Sequence, residues 1–390
     1  MNWRVPACHL LKINSGGALI VQRLFVQVLL AFVLMSAASA QTISFTSVPE
    51  GYEAGNIDLG SGFTGALAAD PDDDNIIYAS VGYWQHNSIV RINLATKLVT
   101  TVADGYFGSI GGMAVPGPNQ LVVVDNDDYT SNSIPGDTVL LLTDINIDGG
   151  FNDPGEIEEL IAPILVDGGS FSGAQARIAP AGSPSMIPSG SLLFQNADGN
   201  GHADLFVVTN PTSSTTAVYR PAGAAFFSGF DYNGGFDFDS HGNIFMGTTN
   251  SSFSGEVYAL VNTNHDEDID MGEWNDIVTS ASLPGGISDF VIDAEDDAFI
   301  ITNPWGGSQI QTFRIPSDPL HIKATPIPFA NTDSSWLTSV IINTKSRQFK
   351  PGAPNGATIL VGGYKGMNSA TNLLTLRPRR ASEVKVWLLY

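Results

Sequence analysis

Short runs in which apolar and polar positions alternate, or in which β-branched residues cluster, follow one another from about residue 60 onward. No stretch beyond about ten residues sustains apolar spacing at i, i+3 and i+4, and glycine and proline punctuate the chain throughout. The pattern predicts an all-β fold of short strands joined by polar turns. The runs repeat as a unit. Phe63 to Ser80 (FTGALAADPDDDNIIYAS) reads strand, polar turn, strand, and the same grammar returns at Ile110–Asp125, Gly235–Thr248 and Ile287–Thr302. Looser copies are Ser191–Thr209 and Leu337–Gly362. Third strands follow at Ser88–Leu94, Thr138–Leu142 and Glu256–Val261, and fourth strands at Lys97–Val102 and Ile157–Ile161.

Four short strands repeated about every 45 to 55 residues are the reading of a propeller blade. One blade leaves an apolar face that only its neighbour can cover, so the array must close into a ring. The expectation is a single β-propeller over residues 41–390, of six blades with four antiparallel strands each. The Gly/Ser/Pro-rich segment 167–190 leaves room for a seventh, and a β-sandwich array or β-helix is the competing architecture.

Residues 1–40 read differently. Arg4, Lys12 and Arg23 precede a short apolar run, Leu24–Met35, and Ala38-Ser39-Ala40 supplies small residues for cleavage before Gln41. The run is shorter than the roughly 20 residues a membrane helix needs. A cleaved signal peptide is expected, with an uncleaved anchor as the alternative, which places the mature chain in the exterior, the periplasm or at the cell surface. No later segment is apolar enough to span.

The whole chain has 17 Lys+Arg against 39 Asp+Glu, a net charge of −22, and the leader holds only basic charges. Nucleic acid is therefore excluded as a natural partner, because phosphate binding needs a basic surface. Acidity of this kind serves solubility or divalent-cation sites. The single cysteine, Cys8, lies in the leader, which leaves the mature part without disulfide, thiol nucleophile or thiolate metal site.

Three acidic turns have the oxygen spacing that calcium needs. The ion takes about six to eight oxygens, from side chains at loop positions 1, 3 and 5, a carbonyl at 7, and further groups at 9 and 12. In Asp144–Glu156 these are Asp144, Asn146, Asp148, the Gly150 carbonyl and Asn152, with Gly149 at the tight turn. The closing carboxylate arrives one residue late, at Glu156, unless Asp153 substitutes. In Asn262–Glu273 the positions are filled in order by Asn262, Asn264, Asp266, Asp268, Asp270 and Glu273, with Glu267 in place of the usual glycine. Both loops stand between a third and a fourth strand, where the first blade has the tight turn Ala95-Thr96-Lys97. The third turn places Asn196, Asp198, Asn200, the His202 carbonyl and Asp204 at positions 1, 3, 5, 7 and 9, between what read as the first two strands of its blade. A solvated Asx/Gly turn without metal is the simpler reading of each. The runs 70–74, 125–128 and 293–297 lack the spacing and read as surface turns.

The phrase Gly235-Phe236-Asp237-Phe238-Asp239-Ser240-His241-Gly242-Asn243-Ile244-Phe245 resembles the blade opening of NHL and gluconolactonase-like propellers. The first two acidic turns are EF-hand-like, and Asn196–Leu205 resembles the calcium loop of FG-GAP/VCBS repeats. The propeller resemblance implies an all-β ring and, in the gluconolactonase-like branch, one channel metal held by an acid, two Asn and an Asp. Asn126, Asn210, Asn303 and Asp58 are the candidate positions for that set. No Gly-x-Ser-x-Gly elbow, His-Glu-x-x-His motif or Walker loop occurs, and His86, His202, His241, His265 and His321 are scattered singly. Tyr83, Trp84, Trp305 and Trp336 near strand ends either line a ligand face or pack between blades. The reading is a secreted, monomeric, calcium-binding propeller, a binding or surface-associated module for a polysaccharide or protein ligand. A metal-dependent hydrolase or lactonase is the alternative.

Overall fold

Among the described residues the chain forms 25 strands, many of them buried along nearly their whole length. The computed structural model describes residues 42–83, 86–126, 138–161, 173–180, 187–197, 203–221, 232–250, 252–264, 269, 272–304, 307–334, 336–345, 349–351, 356–365 and 370–380. Two strands, β1 (Phe45–Ser47) and β2 (Tyr52–Ser61), precede the first repeat. Blade 1 is β3 (Phe63–Ala69), β4 (Ile76–Tyr83), β5 (His86–Asn93) and β6 (Leu98–Phe107). Blade 2 is β7 (Ile110–Ala114), β8 (Gln120–Asp125), β9 (Thr138–Thr143) and β10 (Ile157–Ile161). Blade 3 is β11 (Gly173–Ile178), β12 (Leu192–Ala197), β13 (Ala203–Thr209) and β14 (Val218–Pro221). Blade 4 is β15 (Tyr232–Phe238), β16 (Ile244–Thr249), β17 (Gly255–Leu260) and β18 (Trp274–Val278). Blade 5 is β19 (Gly286–Ile292), β20 (Asp297–Asn303), β21 (Gln309–Arg314) and β22 (Ile327–Thr332). Blade 6 contributes β23 (Trp336–Ile342), β24 (Ile359–Tyr364) and β25 (Ala370–Pro378).

Every described pairing is antiparallel, and the chain is a six-bladed β-propeller. The first strand of each blade is innermost, and these six strands contact one another around the axis. The strand that completes blade 6 comes from the other end of the chain: β2 pairs with β25, from Tyr52↔Pro378 to Ser61↔Ala370. β1 adds a fifth strand to blade 5 through β22. Ring closure thus rests on the segment that follows the expected leader. There Ile43 is buried, and Asn372 holds it by accepting from its N–H and donating to its carbonyl, each at 2.9 Å.

Two sequence expectations need correction. The segment thought roomy enough for a seventh blade supplies β11, the first strand of blade 3. The turn near Asn196 therefore joins second and third strands, not the first two. β11 carries little strand signal because Gly-Ala-Gln-Ala-Arg-Ile has a single β-branched residue and no aromatic. Among the described residues the one helical segment is a 3-10 turn, Ser280–Ser282, and none is long and apolar enough to cross a membrane.

Apolar residues from adjacent blades fill the seams, while buried polar side chains lock the inner strands. Gln195 of blade 3 donates to Gly247 O and accepts from Gly235 N in blade 4. Asn303 of blade 5 makes the same reciprocal pair with Leu337 of blade 6. Such pairs satisfy backbone groups that burial would otherwise leave costly.

Candidate metal sites

Strands alternate in direction, so the first-to-second and third-to-fourth turns leave one face of the ring and the other turns leave the opposite face. The loops 144–156 and 262–273 both join third to fourth strands and share a face. The facing ends of β12 and β13, at Ala197 and Ala203, lie on the other.

In the first loop Asp144 and Glu156 are buried while the tip is exposed. Asp144 accepts from the N–H groups of Asp148 (3.1 Å) and Gly149 (2.8 Å), Asn146 Oδ1 from Asp148 N (3.0 Å), and Asp148 Oδ1 from Gly150 N (2.9 Å). Glu156 closes the loop, accepting from Ile145 N at 3.2 Å and Asp153 N at 2.9 Å. Asp153 instead accepts from the Asn146 amide. The tip is strained: Ile147 has φ +61° and is exposed, whereas L-residues, above all β-branched ones, avoid that region.

The second loop repeats this framework. Asn262 and Glu273 are buried, and Glu273 Oε1 accepts from Thr263 N (2.7 Å), Asn264 N (3.0 Å) and the Thr263 hydroxyl. The backbone bonds match as well, Thr143 N to Glu156 O and Val261 N to Glu273 O, both 2.8 Å. Glu156 therefore occupies the place of Glu273 despite arriving one residue later. Asp266, Asp268 and Asp270 lie outside the described residues.

Both loops reach back over the preceding blade through their eighth residue. Phe151 is buried in the seam of blades 1 and 2, its ring 6.5 Å from Tyr78 and its N–H on Val102 O of β6 at 2.7 Å. Ile269 is buried in the seam of blades 3 and 4 with Leu205 and Val207. Asn152, the expected ninth-position donor, faces β6: it accepts from Asp104 N at 3.1 Å and donates to Val102 O at 3.3 Å. Each loop is a clasp across a seam, a role that spacing alone did not reveal.

In the third turn Asn196 and Asp204 are cross-strand partners in β12 and β13. Asp198, Asn200 and His202 lie outside the described residues. In the run 125–128 Asp125 ends β8 and accepts from Gly108 N and Ser109 N, while 127 and 128 lie outside the described residues; other acidic turns are Asx turns. Asp239 accepts from His241 N and Asn243 N, which accounts for the Asp-x-x-Gly-Asn phrase, and Asp293 does the same for Glu295 N and Asp297 N.

The donor set of the clasps is all oxygen, which suits a hard dication. Among the described residues no three His, Cys, Asp or Glu side chains converge as a ready metal shell. The carboxylates are instead engaged with amides of their own loops, so an ion would have to recruit them, with Asn and carbonyl oxygens completing the shell.

The candidates for a channel metal come from four different blades. Asn303 is in β20, tied to Leu337, Asn126 follows β8, Asn210 caps the turn after β13 through Thr216 O, and Asp58 is on the outermost strand of blade 6. On the axis stands a pair the sequence did not signal. Arg177 of β11 lies 3.4 Å from Asp289 of β19, which also accepts from Ser339 Oγ, Val340 N and Phe290 N. Burial pushes the Asp289 carboxyl up to about 7, against the opposing pull of Arg177 and those donors. Lys345 similarly meets buried Asp237 of β15. Of the aromatics, Tyr83 packs on Phe63 at 5.6 Å, Trp336 is half-buried at the start of β23, and Trp84 and Trp305 lie outside the described residues.

No protein-family model matches the sequence, and no curated protein does. Solved structures match over most of the chain. The PQQ-bound aldose sugar dehydrogenase of Streptomyces coelicolor is similar at 12% identity and a TM-score of 0.53, over 85% of this chain and 99% of that one. The calcium-binding protein regucalcin of Agrobacterium tumefaciens is similar at 11% identity and a TM-score of 0.54, over 88% and 98%. At such identities the likeness is one of fold: this chain shares the propeller architecture of both.

Proposed function

We propose that the chain is a secreted calcium-binding propeller, a binding or surface-associated module whose clasps are tightened by the ion. The observation that carries this reading is the shared framework of 144–156 and 262–273. Each has a buried Asp or Asn at the start, a buried apolar residue at the eighth position and a buried glutamate at the end. Calcium there would hold one blade onto the preceding one, fixing two of the six seams. Export is supported by the position of Ile43, buried just beyond the expected cleavage site, and mass spectrometry of the secreted chain should find Gln41 at its N-terminus. The ligand is proposed to be a polysaccharide or a protein bound by a monomer. The alternative is a channel-metal hydrolase or lactonase, with Asn126, Asn210, Asn303 and Asp58 contributed by four different blades as its candidate ligands.

The test is titration of the mature chain with Ca²⁺ by calorimetry, alongside melting curves in calcium and in chelator. A ligand at roughly a hundredfold excess over its Kd stabilises the native state by about 2.7 kcal/mol per site. Chelator should therefore lower the Tm by several degrees, and Glu156→Gln and Glu273→Gln should each remove one site. No heat of Ca²⁺ binding and an unchanged Tm would remove the proposal.

A further inference from the structure

Where the innermost strands end, the axis opens into a chamber of about 390 Å³ lined by residues 67–71, 113–115, 176–178, 291 and 341–345. Its walls are mainly apolar, with Leu67, Met113, Ile178 and Ile341 among them. A mostly apolar concavity of this size with a few convergent polar groups is the usual form of a small-molecule site. It opens on the face that carries the clasps, at the axis and not at the rim.

Two cations reach it, Arg177 and Lys345, both donors with no acceptor capacity. The Arg177–Asp289 contact of 3.4 Å is longer than the roughly 2.7–2.9 Å of a strong charged pair. Asp289 also divides itself among three other donors. Lys345 Nζ has Asp237 Oδ1 at 2.5 Å and Phe238 O at 3.4 Å, and its side chain is 45% exposed. The other polar groups are committed: Asn343 donates to Asp74 O and accepts from Thr358 N, and Asp70 caps Asp72 N. Arg177 also donates to Ala176 O at 3.1 Å, Val340 O at 3.4 Å and Gln175 Oε1 at 3.5 Å, so what faces the chamber is the positive charge of two groups above apolar walls.

We propose that this chamber binds a small amphiphilic carboxylate, its head group between Arg177 and Lys345 and its chain against the apolar walls. The site is independent of the calcium loops. Asp70 at the rim opposes an entering anion, which gives the test a sign.

The mature chain is titrated calorimetrically with sodium octanoate at constant ionic strength, with octanol and octylammonium as comparison ligands. Octanoate should bind, octylammonium should not, and octanol should bind more weakly by about tenfold, the worth of one charge-assisted contact. Lys345→Met should weaken octanoate by a similar factor. Because that change strips Asp237 of its partner, Ala69→Phe, which crowds the chamber without removing a charge, serves as a second variant and should abolish binding in protein whose cooperative melting shows it folded. Asp70→Asn should tighten binding. No octanoate binding at millimolar concentration, equal affinity for octanol and octanoate, or weaker binding by Asp70→Asn would each overturn the proposal.

Discussion

Replacing Asn372 by alanine should loosen the closure of the ring more than the loss of one surface amide would suggest. Asn372 and Ile43 are both buried at 1% exposure, 329 residues apart in sequence, and joined by two reciprocal hydrogen bonds of 2.9 Å. Alanine leaves the Ile43 N–H and C=O without partners inside the protein, at about 1–3 kcal/mol each. Some relief from entering water brings the expected total to about 2–4 kcal/mol. The β2–β25 ladder starts nine residues beyond Ile43, so the loss should first appear as local opening of this end. Hydrogen exchange on peptides covering 42–61 should accelerate by roughly 30- to 1000-fold, the kinetic equivalent of that energy. Asn372→Asp keeps the acceptor for Ile43 N but sets a carboxylate oxygen against Ile43 O, so at neutral pH it should be no milder than alanine. Exchange at 42–61 indistinguishable from the parent in both variants would refute the claim that this amide anchors the closure.

Asp289 makes stability depend on pH with a definite sign. Its folded midpoint of about 7 lies above the ordinary 3.8, so between these values the folded state holds the extra proton and stability falls as pH rises. The gap corresponds to about 4 kcal/mol in total; parent minus Asp289→Asn stability, from urea unfolding at pH 4 to 8, should fall by an amount of that order, and a rise would contradict it. Ile147→Gly should raise calcium-free stability by about 0.5–1 kcal/mol, the relief of a left-handed β-branched residue less glycine's added chain entropy, read from urea midpoints. Gly235→Ala should destabilise by about 3 kcal/mol or more, because at φ +78° its Cβ would stand 2.3 Å from Asp289 Oδ1; a soluble variant with the parent's midpoint would count against the packing described.

The two kinds of information divide along contact range. Strand existence, the six-fold repeat and the surface turn at 293–297 were legible because each is decided within about ten residues, by period-two alternation and by turn-forming side chains. The same local chemistry marked out the clasp loops and their glutamates. It misplaced β11, whose small residues carry little strand signal and which is held by pairing with β12. Only the tertiary structure decided that β2 completes the last blade, that Phe151 and Ile269 bridge to the preceding blades, and that Arg177 faces Asp289 across 112 residues of chain. Those pairings depend on the radius and closure of the ring, a property of all six blades together, and no window of sequence short enough to show a pattern contains both partners.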